Sequence, residues 1–558
     1  MTGTSRNGVE WPWLNLVPGS TASHLGGRAV VGGRGMVVAP QPLAAEAGAA
    51  VLRAGGNAVD AAIAASAMLM VTAPMNCGPG GDAIWLVRPA GGSPIVVNGT
   101  GRTGRGLDPD HARSTAARDG DRGAWTVTVP GAVASWVAAL DRFGSMSLAE
   151  LLQPAVEAAE NGFFVSRWLR AALCAAERVL RSSPEGTAWF LADGVPAVHS
   201  RLRQPELARC LRLLASSGGE SLYRGEIAAA IVDTLEATGG FIDEDDLATH
   251  ETRWDEPLAI DIGGLELLQA PPNSQGVVLL EALRLTSLVL EKPFPDLERV
   301  EDVHALVESL RASLADRDAV VADPEQADGL FAALLDDSYL SARAAAIDPA
   351  TAAPRWDAGI GRAVAGAAAR DGDTANLVVA DESGTAVSLT QSLFYDFGSG
   401  IPVRDWGFML HNRGACFSLA PGARNEIGPG RRPLHTLMPG MALADNRVRY
   451  VFGCMGGHGQ AQIQSQLLSR LVAGSDPQEA VAAPRFFADP GGGVEPVLYL
   501  EARVAATVKE GLRHRAHPLE LLGDWEEIMG HAQLIELDPS GALVGGCDPR
   551  TDGHVAAW

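Results

Sequence analysis

The chain has 558 residues, 47% of them hydrophobic and 20% charged, which is the make-up of a folded globular protein with more than one lobe. Its formal net charge of −23 argues against a nucleic-acid partner or an anionic membrane surface. Nearly all the positive charge is arginine, since Lys292 and Lys509 are the only lysines.

The N-terminus lacks a basic start followed by an apolar core, so no secretory signal is expected and a cytoplasmic location is. The longest apolar run, 61–75, is too short to span a bilayer. The first thirty residues read as irregular, with Trp11 and Trp13 packing the arm down. A strand is predicted at 36–40. Pro42 then opens an alanine-rich helix ended by Gly55-Gly56, and a second helix starts after Asn57. Asn76-Cys77-Gly78-Pro79-Gly80-Gly81-Asp82 is a glycine turn feeding a strand at 83–87; it lacks the spacings of a phosphate loop.

Residues 165–250 carry helical periodicity. Residues 257–285 give strand, a turn at Pro271-Pro272-Asn273-Ser274-Gln275-Gly276, then helix, and 300–345 are helical again. The segment 346–372 is rich in Ala, Gly and Arg and reads as a mobile linker. It leads into Asp373-Thr374-Ala375-Asn376 and a hairpin: strand 377–380, turn 381–384, strand 386–394. Taken locally, Thr374 is a strand-start threonine like any other. A strand at 448–452, then Gly453-Cys454-Met455-Gly456-Gly457-His458-Gly459, then a helix at 459–473 complete the main features. The six cysteines form no Cys-x-x-Cys pair and accompany no histidine cluster, so neither a disulfide framework nor a metal site is expected. No GxSxG occurs, which ranks a Ser-His-Asp hydrolase low.

Several blocks, in order, resemble the γ-glutamyltransferase family of N-terminal-nucleophile hydrolases. They are 54–62, 154–163, Asp373-Thr374, 386–392, 397–400, Leu410-His411-Asn412-Arg413, Gly456-Gly457 and Asp548-Pro549-Arg550-Thr551-Asp552-Gly553. The resemblance implies an α+β fold, a four-layer αββα sandwich. It implies self-cleavage between Asp373 and Thr374, giving a large chain 1–373 and a small chain 374–558 that stay together as an αβ heterodimer or as a dimer of such heterodimers. It implies Thr374 as nucleophile, Ser392 as supporting hydroxyl, and Gly456 and Gly457 as the oxyanion hole. Arg102, offset by two positions from the family's carboxylate-gripping arginine, and Asn412 join the implied substrate-binding residues. No metal or cofactor is called for. The chemistry suits the residue type. A threonine hydroxyl needs a base, and a freed α-amine, with a reference pKa of roughly 7.7–8, is one near neutral pH.

The departures bear on substrate. Ala375-Asn376 stand where γ-glutamyl enzymes carry Thr-His, Cys416 where an acid pairs with the substrate's α-ammonium, and His435-Thr436 where a Ser-Ser pair completes carboxylate binding. Arg413, His435 and His458 are donors suited to an anionic acyl group. This pattern resembles the cephalosporin acylase branch, which implies removal of a glutaryl-type side chain from a β-lactam nucleus with residual γ-glutamyl transfer. An oxamate-like acid-amide hydrolase, a true γ-glutamyltransferase and a non-catalytic homologue are the alternatives. The family is often exported to the periplasm, a habit this N-terminus does not show.

Overall fold

The computed structural model describes residues 27–326, 329–361, 372–489 and 496–558. Two seven-stranded sheets dominate it. The first runs Val30–Gly32, Leu543–Cys547, Ala532–Leu537, Arg447–Cys454, Gly440–Ala444, Leu265–Gln269 and Leu258–Ile262 in spatial order. The second runs His554–Ala557, Gly35–Ala39, Asp373–Asp381, Ala386–Phe394, Asp82–Arg88, Ile95–Gly99 and Arg253–Asp255. Every pairing within them is antiparallel.

Strand alternation explains the layering, because successive side chains leave a strand on opposite faces. Met36 and Val38, Ile84 and Leu86, and Val378 and Ala380 meet Leu268, Met441, Val451 and Ile535 in one core between the sheets. Their neighbours Val37, Trp85, Leu377 and Val379 pack outward with the helices Pro42–Arg53, Ala58–Thr72 and Leu148–Asn161. On the far side, Leu267, Phe452 and Leu534 pack with Val277–Leu290, Val300–Val320 and Gln460–Val472. The result is the four-layer αββα sandwich. Residues before and after Thr374 supply strands to both sheets, so the two segments are interleaved.

Capping fixes the helices next to the Asp373–Asp381 strand. Gln41 accepts from the Ala44 N–H, and Asn57 and Asp60 form a reciprocal box at the start of Ala58–Thr72. The Asp381 carboxylate, in the hairpin turn, accepts from the Ala58 N–H at 2.9 Å, tying that turn to the buried helix. All six cysteines are unpaired.

The expected linker departs from its reading. Residues 346–361 are irregular but anchored: the Ala353 N–H and Trp356 Nε1 both donate to Glu308 (2.9 Å each), and the Gly359 N–H donates to Asp316 (2.6 Å). Carboxylates on a distant helix supply what the segment's poor apolar content cannot. Residues 362–371 and the Trp11/Trp13 arm lie outside the described residues.

Glu281 is fully buried on Val277–Leu290, beside Asp316 and Ser313. Burial first, and the neighbouring Asp316 charge second, push its pKa well above the usual carboxylate range. A raised carboxyl pKa contributes stability that is complete below the unfolded value and is lost as pH rises toward the folded one. Glu281→Gln copies the protonated form. Its stability relative to the parent should therefore grow by up to ~1.4 kcal/mol per pH unit between pH 5 and 7. Denaturant melts at both pH values read this directly; a constant difference would exclude a protonated Glu281.

Candidate active site

The site forms where the two sheets meet at one corner. Thr374 is the second residue of the Asp373–Asp381 strand, 3% exposed. Pairing with the neighbouring strand is regular from Ala375↔Gln391 to Ala380↔Ala386, but Asp373 stands opposite Phe394. Ser392 and Leu393 therefore form a β-bulge in the neighbouring strand, and Thr374 is the single residue opposite them. Its hydroxyl has no hydrogen-bond partner among the described residues.

The Gly456-Gly457 turn leaves the end of the Arg447–Cys454 strand and enters Gln460–Val472 through a short 3-10 turn. Gly456 has φ +141° and Gly457 φ +50°, conformations that favour glycine. Space also demands them. A Cβ on Gly457 would stand 3.2 Å from the Gly372 Cα and nitrogen, and one on Gly456 would stand 2.5 Å from Ile463 Cδ1. Gly457 thus lies against the residue two before Thr374. Gln275 Nε2 donates to the Gly457 carbonyl (3.0 Å) and the Gly459 N–H to the Gly456 carbonyl (2.7 Å), so both peptide planes are fixed.

Arg413 forms the adjoining wall. It is fully buried, lies 4.2 Å over the Phe394 ring, and donates through Nη1 to Thr436 Oγ1 (2.9 Å). Its Nε and Nη2 have no acceptor. Burial pushes its pKa down, with the Cys416 and Asp82 charges opposing. The Phe394 ring also faces Gly372, since a Cβ there would stand 3.2 Å from Phe394 Cε2. Gly372 is therefore flanked by Gly457 and by the ring that carries Arg413.

The remaining predicted residues are placed differently. Ser392 is buried, accepts from the Phe394 N–H (2.6 Å) and stands opposite Asp82 across the sheet. His435 is fully buried: Nε2 faces Asp82 Oδ2 at 3.1 Å and Nδ1 accepts from the Leu437 N–H at 3.3 Å. Both ring nitrogens are thus engaged inside the protein, and His435 supports the wall rather than presenting a donor. Asn412 is likewise engaged, accepting from the Tyr395 N–H (3.0 Å) and donating to the Asp121 carbonyl (2.9 Å). Arg102 pairs with Asp323 (3.2 Å) and Glu325 and donates to the Gly430 carbonyl (2.9 Å), so its guanidinium already has two carboxylates.

Three residues escaped sequence reasoning. Asp82 ends the glycine turn and gathers His435, His411 (3.4 Å) and the Gly131 N–H (3.2 Å). Gln275 sits in the Pro-Asn-Ser-Gln-Gly turn, whose composition was the available signal. Arg317 lies in the last turn of Val300–Val320 and donates to Gln275 Oε1 and to His458 Nδ1, each at 2.7 Å; a basic residue in a helix's last turn is ordinary, so its sequence carried no signal. Among the described residues no group of three or more His, Cys, Asp or Glu side chains is placed to hold a metal ion. No helix among them is long and apolar enough to cross a membrane. An open cavity of about 550 Å³ lined by Arg209, Glu226, Asp405 and Trp406 is elsewhere and includes none of these residues.

The scaffold is of the N-terminal-nucleophile hydrolase type: paired antiparallel sheets between helical layers, with a threonine at the head of a central strand. The profile described as Gamma-glutamyltranspeptidase matches residues 44–558, and the chain belongs to that family. It is 38% identical over 536 residues to the glutathione hydrolase-like YwrD proenzyme of Bacillus subtilis, covering 94% of this chain and 99% of that one. It is 38% identical over 534 residues to the oxamate amidohydrolase proenzyme of Klebsiella pneumoniae, covering 94% and 98%. The cephalosporin acylase structure from Bacillus halodurans superposes with a TM-score of 0.87 at 32% identity, covering 100% and 99%.

Burial first, then the Arg413 charge, hold His435 neutral, with its pKa pushed down to about 3 against the pull of Asp82. A histidine buried neutral binds its proton in the unfolded chain first, so stability falls as pH drops below roughly 6.5. At pH 5 His435 alone should cost roughly 2 kcal/mol. Guanidinium melts at pH 7 and pH 5 should show the loss, and His435→Gln should flatten it; an unchanged slope would place a charge on His435 in the folded state.

Proposed function

We propose that the protein is a self-processing amide hydrolase and acyltransferase acting on monoamides of dicarboxylic acids. The glutaryl side chain of a cephalosporin nucleus is the larger member of that class, and oxamate the smallest. The supporting observation is Arg413: a buried guanidinium beside the nucleophile strand, with two nitrogens lacking acceptors and no carboxylate bonded to it. A planar N–H pair of this kind suits a carboxylate bound bidentately. Leaving it unpaired costs about 1–3 kcal/mol, which a substrate carboxylate recovers.

Maturation begins when Thr374 Oγ attacks the Asp373 carbonyl carbon. The peptide C–N bond breaks as the C–O bond forms, and water then hydrolyses the ester. This leaves the Asp373 carboxylate at the end of the large chain and a free α-amine on Thr374. The cut yields chains 1–373 and 374–558, which remain one αβ unit because their strands interleave in both sheets. In turnover the α-amine takes the Thr374 hydroxyl proton as Oγ attacks the substrate amide. The N–H groups of Gly456 and Gly457 meet the oxyanion, and Ser392 supports the hydroxyl. The proton passes to the leaving amine. Water attacks the acyl-threonine ester and releases the diacid; a second amine in place of water gives transfer.

A γ-glutamyl substrate differs by one α-ammonium. Asp121, whose carboxylate accepts from the Tyr395 hydroxyl at 3.4 Å, is the observation that favours this second reading. Its exposed position in water makes a weak anchor. The similarity to an oxamate amidohydrolase and to a cephalosporin acylase supports the diacid class over it.

Intact mass under denaturing conditions should give two chains meeting at Asp373/Thr374, and Thr374→Ala a single chain. On the mature protein, Arg413→Met should raise KM for glutaryl-p-nitroanilide at least about tenfold, roughly 1.4 kcal/mol. γ-Glutamyl-p-nitroanilide should be the poorer substrate. An uncut chain, or γ-glutamyl preference, would overturn the reading.

A further inference from the structure

We infer that His458 is a second donor for the acyl group's carboxylate, set in place by Arg317; this deepens the diacid reading and rests on it. Guanidinium is a donor only. The 2.7 Å contact from Arg317 Nη1 to His458 Nδ1 therefore requires a lone pair on Nδ1 and places the ring proton on Nε2. Nε2 is buried and has no acceptor among the described residues. The tautomer is fixed by the contact itself, and Arg317 is pinned in turn by Gln275 Oε1 (2.7 Å) and Asp318 (2.6 Å).

The uncut chain shows where the donor acts. Gly372 and Asp373 lie on the acyl side of the bond that Thr374 would break, so a substrate's acyl group must occupy the space they hold. Gly457, the neighbour of His458, is in contact with Gly372 on one side; the Phe394 ring under Arg413 contacts it on the other. Arg413 and His458 thus flank the acyl position from two directions, with three donor atoms lacking acceptors between them: Arg413 Nε and Nη2 and His458 Nε2. Three donor atoms without an acid suit one carboxylate. Burial, Arg317 and Arg413 all hold His458 neutral, so it donates without adding charge.

The test compares mature wild type with His458→Ala and His458→Gln on glutaryl- and pentanoyl-p-nitroanilide, acyl groups of equal length that differ in the terminal carboxylate. His458→Ala should raise KM for the glutaryl amide about tenfold with kcat within about threefold, and leave KM for the pentanoyl amide no higher than in the wild type. His458→Gln, which keeps a side-chain N–H, should restore part of the loss. Glutarate binding, measured by calorimetry, should weaken in parallel. Equal losses on both substrates, or a fall in kcat alone, would overturn the proposal and assign His458 to the glycine turn. If the wild type does not prefer the glutaryl amide, the diacid reading itself fails, an outcome distinguishable before any variant is made. Intact mass verifies that each variant has cut itself; if His458→Ala does not, His458→Gln carries the comparison, and unaltered glutaryl KM and glutarate affinity in it together with unaltered affinity in His458→Asn would overturn the proposal.

Discussion

The site depends on a close approach of two backbones that leaves little room for a side chain on either. Gly372 comes from the segment entering one sheet, Gly457 from the segment leaving the other, and a Cβ on each would crowd the other's backbone at 3.0–3.2 Å. The approach holds because the sheets are pinned nearby by polar contacts across the sandwich. Ser388 Oγ donates to the Phe452 carbonyl at 2.8 Å, and Gly453 lies so close to the Asn376 amide that a Cβ would stand 2.2 Å from its Nδ2. Farther along, apolar packing of Met36, Val378, Met441 and Ile535 takes over. A sandwich core is dense and does not yield by an ångström. The spacing between the Thr374 strand and the glycine turn is thus set by the whole sheet pair.

Electrostatics around that corner are of short range. The protein as a whole carries −23, which repels an anionic substrate at a distance. Beyond roughly 8 Å at physiological salt that repulsion is screened. What remains is local: Arg413 and Arg317 without a buried acid bonded to Arg413, and His435 and His458 held neutral by burial. Asp82 is the buried acid of this wall, and His435, His411 and the Gly131 N–H surround it. On the proposed diacid reading, recognition of the anion would rest on contact rather than steering.

The sequence conveyed the hairpin well, because Ala386–Phe394 is a long apolar strand bounded by a turn, and it conveyed the layers through the alternation of strand and helix patterns. Gly456 and Gly457 were legible because glycine pairs between a strand and a helix have few other uses. What could not be read were partnerships across long stretches of chain. Arg102 looked available, and only folding brings Asp323 and Glu325 to it from more than 200 residues away. His435 looked like a donor until Asp82 was brought within 3.1 Å. The 346–361 segment looked free because its anchors, Glu308 and Asp316, lie on a helix whose sequence shows no sign of serving it. Local pattern reports faces and turns; it does not report which charge meets which.

One further relation follows from the proposed chemistry. The bond expected to break during maturation joins Thr374 to an aspartyl residue, so the first acyl group the site handles is itself that of a dicarboxylic acid. In the proposed mechanism the same glycine turn would serve both events, first in cis and then on each substrate. The reuse has a physical basis: self-cleavage and turnover proceed over the same oxyanion turn, and the acyl group must lie along the same Gly457 edge in both. On the diacid reading, an uncharged acyl group would leave the buried donors of Arg413 and His458 unpaired at a cost of about 1–3 kcal/mol each. Specificity on this reading comes mainly from that penalty rather than from steric exclusion.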